Sequence, residues 1–161
     1  MKALYGNHYF QNVFKFTFVR NPWDRLYSAY SYLDKKLGNK KDKLFAENIL
    51  KGITDFESFF YHVFLPKALY KNHFFFYPQY YFICDNKDRI IVDYIGKVES
   101  INNDFIYIKE ILNLSDKTLM HLNKSNESDY KTHYNQEMIN IVAKLYKKDI
   151  ELFDYSFKKE G

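Results

Sequence analysis

Residues 18–30 read FVRNPWDRLYSAY, and two periodicities meet in them. On the amino side, Phe14, Phe16 and Phe18 alternate with Val13, Lys15, Thr17 and Val19, the period of a strand. Bulky apolar groups on both faces predict that the strand over 13–19 is well buried. On the carboxyl side, Asn21 is suited to cap a helix that starts at Pro22, where a missing N–H costs nothing, and Asp24 falls in the first turn, where the helix dipole favours an acid. Leu26, Tyr30 and Leu33 follow at helical spacing with Ala29 beside them, which predicts a helix to about residue 36.

Outward from this junction, residues 38–43 form a polar turn before a short helix over 44–50. Thr54 and Glu57 have the spacing of a capping box opening a helix over 55–65. YYFIC (80–84) and IIVDYI (90–95) read as strands around the turn DNKDR, with Gly96 ending the second. A helix is predicted over 99–112, with Ile101, Phe105, Ile108 and Leu112 on one face, then a polar loop over 113–133 and a last helix over 135–153. Strands separated by helical stretches define an α/β layer structure with some parallel pairing. The chain has 161 residues and no interdomain linker, so one domain over 1–161 is expected, burying roughly 70% of its unfolded surface.

The net charge of +4 suits an anionic ligand, but the lysines are interleaved with acids and no nucleic-acid signature accompanies them, so no nucleic-acid partner is expected. Cys84 is the single cysteine, which excludes an internal disulfide and a cysteine-based metal site, and its apolar neighbours predict a buried structural thiol. His121 and His133 lack metal-ligand spacing, and no metal is expected. The apolar stretch from Phe74 to Cys84 is far shorter than the roughly 20 residues a membrane-spanning helix needs. The first residues lack the pattern of a secretory leader, so a cytoplasmic location is the expectation. Oligomeric state is not legible.

Only three arginines occur, and Arg20 and Arg25 both fall in the strand-to-helix turn of a protein that otherwise uses lysine. A guanidinium offers a planar fork for two phosphate oxygens, which an ammonium cannot. The helix opening at Pro22 adds free N–H groups and a positive dipole end, and Ser28 adds a hydroxyl in the second turn. Together they describe an anion site, most naturally for phosphate. The plain alternative is an ion-pair network, with Asp24 or Glu99 as partners.

FKFTFVRNPWDRLYSAY resembles the 3′-phosphate-binding segment of sulfotransferases that use 3′-phosphoadenosine 5′-phosphosulfate (PAPS), especially the Golgi carbohydrate sulfotransferases and their bacterial relatives. The R-x-P-x-x-R-x-x-S pattern is matched by Arg20, Pro22, Arg25 and Ser28. DYIGKVESINNDF (93–105) and the tail from LNKS at 122 to YKKDIELFDYSF are similar to later parts of the same family, so the likeness covers about 14–157.

The resemblance implies a fold like that of the P-loop nucleotide kinases, with a parallel sheet flanked by helices. It implies sulfuryl transfer from PAPS to a hydroxyl of a carbohydrate-like acceptor, leaving adenosine 3′,5′-bisphosphate. Arg20 and Ser28 then hold the 3′-phosphate, Arg25 matches the same motif and joins them in binding the cofactor, and Lys124 and Ser125 lie in a loop that approaches the cofactor and add phosphate contacts. His73, ahead of a Pro-Gln pair, becomes a candidate for the acceptor cleft, and Glu99 a carboxylate that orients an arginine. The family's lysine-bearing phosphate loop has no counterpart before Phe14, and His8 stands too near Arg20 to be assigned as the base. The fold is therefore expected to be incomplete at the amino terminus and no catalytic residue is assigned. The alternative is a noncatalytic or truncated module that binds a nucleotide or an anionic glycan.

Overall fold

The computed structural model describes residues 10–114 and 130–157. His8, His121, Lys124 and Ser125 lie outside the described residues. The described part comprises two compact units, one of residues 10–19 with 81–114 and the other of 20–80 with 130–157.

The first unit contains strand β1 (Phe16–Val19) and strand β2 (Tyr94–Lys97), paired in parallel with Phe16 opposite Tyr94 and Phe18 opposite Gly96. Among the described residues these two make the sheet, so the expected α/β class with parallel pairing holds. The strand is shorter and more exposed than predicted, with Phe16 41% exposed. The ladder stops before Phe16 because the Lys15 N–H goes to the Asp93 carboxylate at 2.7 Å instead of a strand carbonyl. The Lys15 ammonium also reaches that carboxylate at 2.7 Å.

Beyond β2, a 3-10 turn (Val98–Ser100) leads into a helix over Ile101–Ile111, whose Ile108 is fully buried. Asp104 ties this junction together, accepting from the Tyr94 hydroxyl at 2.6 Å, the Lys97 N–H at 2.9 Å and the Ser100 hydroxyl at 2.6 Å. Its hydrogen bond to Tyr94 helps push that phenol up to about 12. Gly96 is required by space: a Cβ there would sit 2.7 Å from the Phe18 ring and 3.1 Å from the Asp104 Cβ. Gly96→Ala is expected to cost about 1–3 kcal/mol in chemical denaturation, the range of an overpacked site; an unchanged midpoint would show that the Phe18 ring yields freely.

The segment read as a strand over 80–84 is instead a helical turn, Tyr80–Ile83, and Tyr81 and Phe82 are exposed. The physical reason lies at its start, where a buried carboxylate, Asp149, accepts the Gln79 and Tyr80 N–H groups and so caps a turn that aromatic β-propensity had disfavoured. The predicted pairing is reduced to an antiparallel bridge between Cys84 and Ile90, while the second strand is shifted onto β2, where Gly96 is paired and does not end it. Arg89 closes the intervening turn on Asp85, with Nε donating to Oδ2 at 2.9 Å, and Cys84 is only half-buried, not enclosed as predicted.

The second unit is helical. Helix α1 (Pro22–Asp34) starts at the predicted residue: the Asn21 side chain accepts from the Trp23 N–H, while its amide donates to the Ser156 carbonyl at 3.1 Å. Leu26, Tyr30 and Leu33 are buried as their spacing required, with Trp23 added to the same core. Helix α2 (Lys40–Ile49) begins earlier than predicted because Asn39 and Asp42 form a capping box. At the next start Asp55, not Thr54, is the cap: its carboxylate accepts the Ser58 N–H at 2.7 Å, and the Thr54 hydroxyl donates to it. That helix, α3 (Phe56–Phe59), widens into a π-helical turn, Phe60–Phe64, whose His62 is exposed.

The predicted last helix is two: α4 (Gln136–Leu145) and α5 (Lys147–Phe153), separated at Tyr146. Phe56, Phe59, Phe60, Phe64 and Phe76 fill the core with Met138 and Val142. Among the described residues no helix is long and apolar enough to cross a membrane.

Candidate functional site

Arg20 precedes α1, and Asp24 and Ser28 stand four residues apart on that helix, so one face presents both to the guanidinium. The Arg20 Nε donates to Asp24 Oδ2 at 2.6 Å and Nη2 to Asp24 Oδ1 at 2.9 Å, a bidentate pair. Nη1 donates to the Ser28 hydroxyl oxygen at 2.8 Å. The Asp24 partner is the one the ion-pair reading named, and Ser28 is the one the phosphate reading named. Both occur together because a guanidinium has five N–H groups. Among the described residues, one N–H on each terminal nitrogen is left beyond these bonds, and the Arg20 side chain keeps 26% exposure. Ser28, accepting from Arg20, retains its own proton to donate. A phosphate oxygen set can therefore meet two guanidinium N–H groups and one hydroxyl, so the residues present fit a phosphate monoester.

The backbone of Arg20 is held as firmly as its side chain. Gln79 accepts the Arg20 N–H at 2.9 Å and donates to the Arg20 carbonyl at 2.8 Å, pairing with it as a neighbouring strand would. Gln79 is buried, and its own N–H donates to Asp149 Oδ2 at 2.6 Å. Asp149 is fully buried; burial pushes its carboxyl up, while the Gln79 and Tyr80 N–H groups and the Arg25 charge pull it down. Arg25 turns inward and donates to the Tyr77 carbonyl at 2.8 Å. Burial lowers its guanidinium's pKa, while Tyr146 and Asp149 act in the opposite direction.

His73 stacks on Phe45 with ring centroids 3.8 Å apart and planes 8° from parallel, and its Nδ1 accepts the Phe75 N–H at 3.4 Å. It opens the 3-10 turn Phe74–Phe76 that leads to Pro78 and Gln79. Burial lowers its pKa from 6.5, with Asp42 acting against this. The unfolded chain then takes up a proton first as pH falls, so this contribution to stability is complete above 6.5 and declines as pH drops toward the lower folded value. His73→Phe, which keeps the stack, is expected to flatten the fall in urea midpoint between about pH 8 and about pH 5.5; the same slope in both proteins would refute it. His133 stacks on Tyr27 at 4.3 Å, next to Ser28 in sequence. Glu99 belongs to the 3-10 turn Val98–Ser100 of the other unit.

Gln79 and Asp149 are the residues that sequence reasoning passed over. The Pro-Gln pair gave only context for His73. For Asp149 a signal existed: Tyr146, Asp149 and Phe153 recur at i, i+3 and i+7, and all three are buried, so the carboxylate stands on an apolar stripe. A charge at such a position needs partners inside the fold.

Helices combined with a parallel strand pair, and an arginine bonded to a serine where the first of the helices begins, define a mixed helix and strand protein. The Sulfotransferase family matches residues 2–156, and the chain belongs to that family. The match takes in most of the stretch before Phe14, which the motif likeness had left aside. No curated protein and no solved structure matches. The family's chemistry is sulfuryl transfer to small acceptors, and its members generally draw the group from PAPS.

Proposed function

We propose that this chain binds PAPS through Arg20 and Ser28 and supports transfer of its sulfuryl group to a hydroxyl of a carbohydrate-like acceptor. The observation that carries the proposal is the 2.8 Å bond between Arg20 Nη1 and Ser28 Oγ, which brings two phosphate-seeking groups eight residues apart onto one point. When bound, PAPS supplies the sulfuryl group: its bond to the 5′-phosphate oxygen breaks as the acceptor oxygen bonds to sulfur, the acceptor proton leaves to a base, and adenosine 3′,5′-bisphosphate departs. Arg20 and Ser28 grip the end of the nucleotide away from that bond, so their contribution is to hold and orient. Asp24 fixes the plane of the guanidinium. Arg25 supports the site through Tyr77, Lys124 and Ser125 are proposed as further phosphate contacts, and His73 as a support of the acceptor side.

Calorimetric titration with adenosine 3′,5′-bisphosphate tests the reading. Saturable binding is expected, weakened about tenfold by Ser28→Ala, the worth of one hydrogen bond to a charged group. Incubation with sulfur-labelled PAPS and a panel of hydroxylated sugars should give a labelled product. Binding without transfer at any acceptor favours the noncatalytic module, and a folded protein that does not bind the bisphosphate overturns the proposal.

A further inference from the structure

The segment Phe76–Tyr80 is tied down at four backbone groups by side chains from elsewhere in its unit. The Tyr146 hydroxyl donates to the Phe76 carbonyl at 2.7 Å, and Arg25 donates to the Tyr77 carbonyl at 2.8 Å. Asp149 accepts the Gln79 N–H at 2.6 Å and the Tyr80 N–H at 2.9 Å. Pro78 fixes a further backbone angle between these anchors. Such a segment has little freedom, and it presents one side chain, the Gln79 amide, to both backbone groups of Arg20 at 2.9 Å and 2.8 Å. An amide that accepts and donates at once sets the position and the rotation of the peptide it meets.

We infer that Gln79 is a positioning residue for the 3′-phosphate site, setting the Arg20 backbone so that the guanidinium reaches Ser28 and the ligand together, with Asp149 and Arg25 locking Gln79 in turn. The inference rests on the phosphate-site reading above. Arg20 lies outside α1, so no helical hydrogen bond holds its backbone, and the Gln79 amide takes that place. It also explains why the second arginine of the motif faces inward: Arg25 acts on the segment that carries Gln79, not on the ligand.

The test compares affinities for adenosine 3′,5′-bisphosphate and adenosine 5′-monophosphate, whose ratio reports the 3′-phosphate contact alone. Gln79→Leu, close in shape but without hydrogen bonds, is expected to reduce this ratio about tenfold while leaving the monophosphate affinity within about twofold. In an Arg20→Ala background the same substitution is expected to leave the ratio unchanged, because the effect passes through Arg20. Gln79→Asn, which keeps both amide functions on a shorter stem, is expected to lose about threefold, and it serves as the reading if the leucine variant does not fold. A purely structural role would lower the melting temperature and leave the ratio at the wild-type value, and that result in a folded variant overturns the inference. A wild-type protein that binds both nucleotides equally would instead remove the phosphate-site reading and this inference with it.

Discussion

Asp149→Ala is expected to lower the free energy of unfolding by about 3–5 kcal/mol, the largest single effect on stability foreseen here. The carboxylate is fully buried, and its two oxygens accept the Gln79 and Tyr80 N–H groups at 2.6 Å and 2.9 Å. Removing it leaves two donors facing a cavity, each costing about 1–3 kcal/mol, and takes a counter-charge away from the buried Arg25 guanidinium. Asp149→Asn keeps the volume but turns an NH2 toward one of the donors, so about half of the loss is expected. Urea denaturation followed by circular dichroism measures both. An exposed pair gives the contrast: Lys147 and Glu151, 3.6 Å apart in water, are expected to contribute under about 0.5 kcal/mol. A loss below about 1 kcal/mol for Asp149→Ala would mean that water replaces the carboxylate and that the segment over 76–80 does not depend on it.

Arg20→Ala is expected to weaken adenosine 3′,5′-bisphosphate about 100-fold in calorimetric titration, from the loss of two charge-assisted hydrogen bonds at about 1.5 kcal/mol each. Arg20→Lys is expected to recover little of this. The guanidinium meets Asp24 at 2.6 Å and 2.9 Å and Ser28 at 2.8 Å simultaneously, three directions that a planar fork supplies. A lysine of similar reach satisfies Asp24 as a point charge and leaves Ser28 without its donor. Melting temperatures separate this from a folding effect, since the Arg20–Asp24 pair is partly exposed and worth little to stability. Full affinity in Arg20→Lys would show that charge alone, and not the fork, holds the phosphate.

Much of the candidate site's local structure was legible in the sequence. Asn21, Pro22 and the Leu26, Tyr30 and Leu33 stripe specified α1, because capping and helical spacing are local properties of neighbouring residues. Arg20 and Ser28 were legible from residue type and a family pattern. That Arg20 reaches both Asp24 and Ser28 follows from helix geometry once the start of α1 is set. Two expectations fail, one for a local reason and one for a reason distant in sequence. Thr54 was read as a cap one residue before Asp55, whose carboxylate is the stronger acceptor. Residues 80–84 were read as a strand because alternating aromatics favour one, whereas a carboxylate some seventy positions away in sequence caps a helical turn there.

The sequence by itself therefore determined the strand-to-helix junction, its helix start and the pairing of an arginine with a serine on one face, since each depends on residues within eight positions of one another. Tertiary structure alone decided that Gln79 grips the Arg20 backbone and that Asp149 and Arg25 hold the Gln79 segment. These contacts join residues 52 to 70 positions apart, through hydrogen bonds whose partners are chosen by packing, so the stripe of Tyr146, Asp149 and Phe153 marks a buried carboxylate without indicating what it meets.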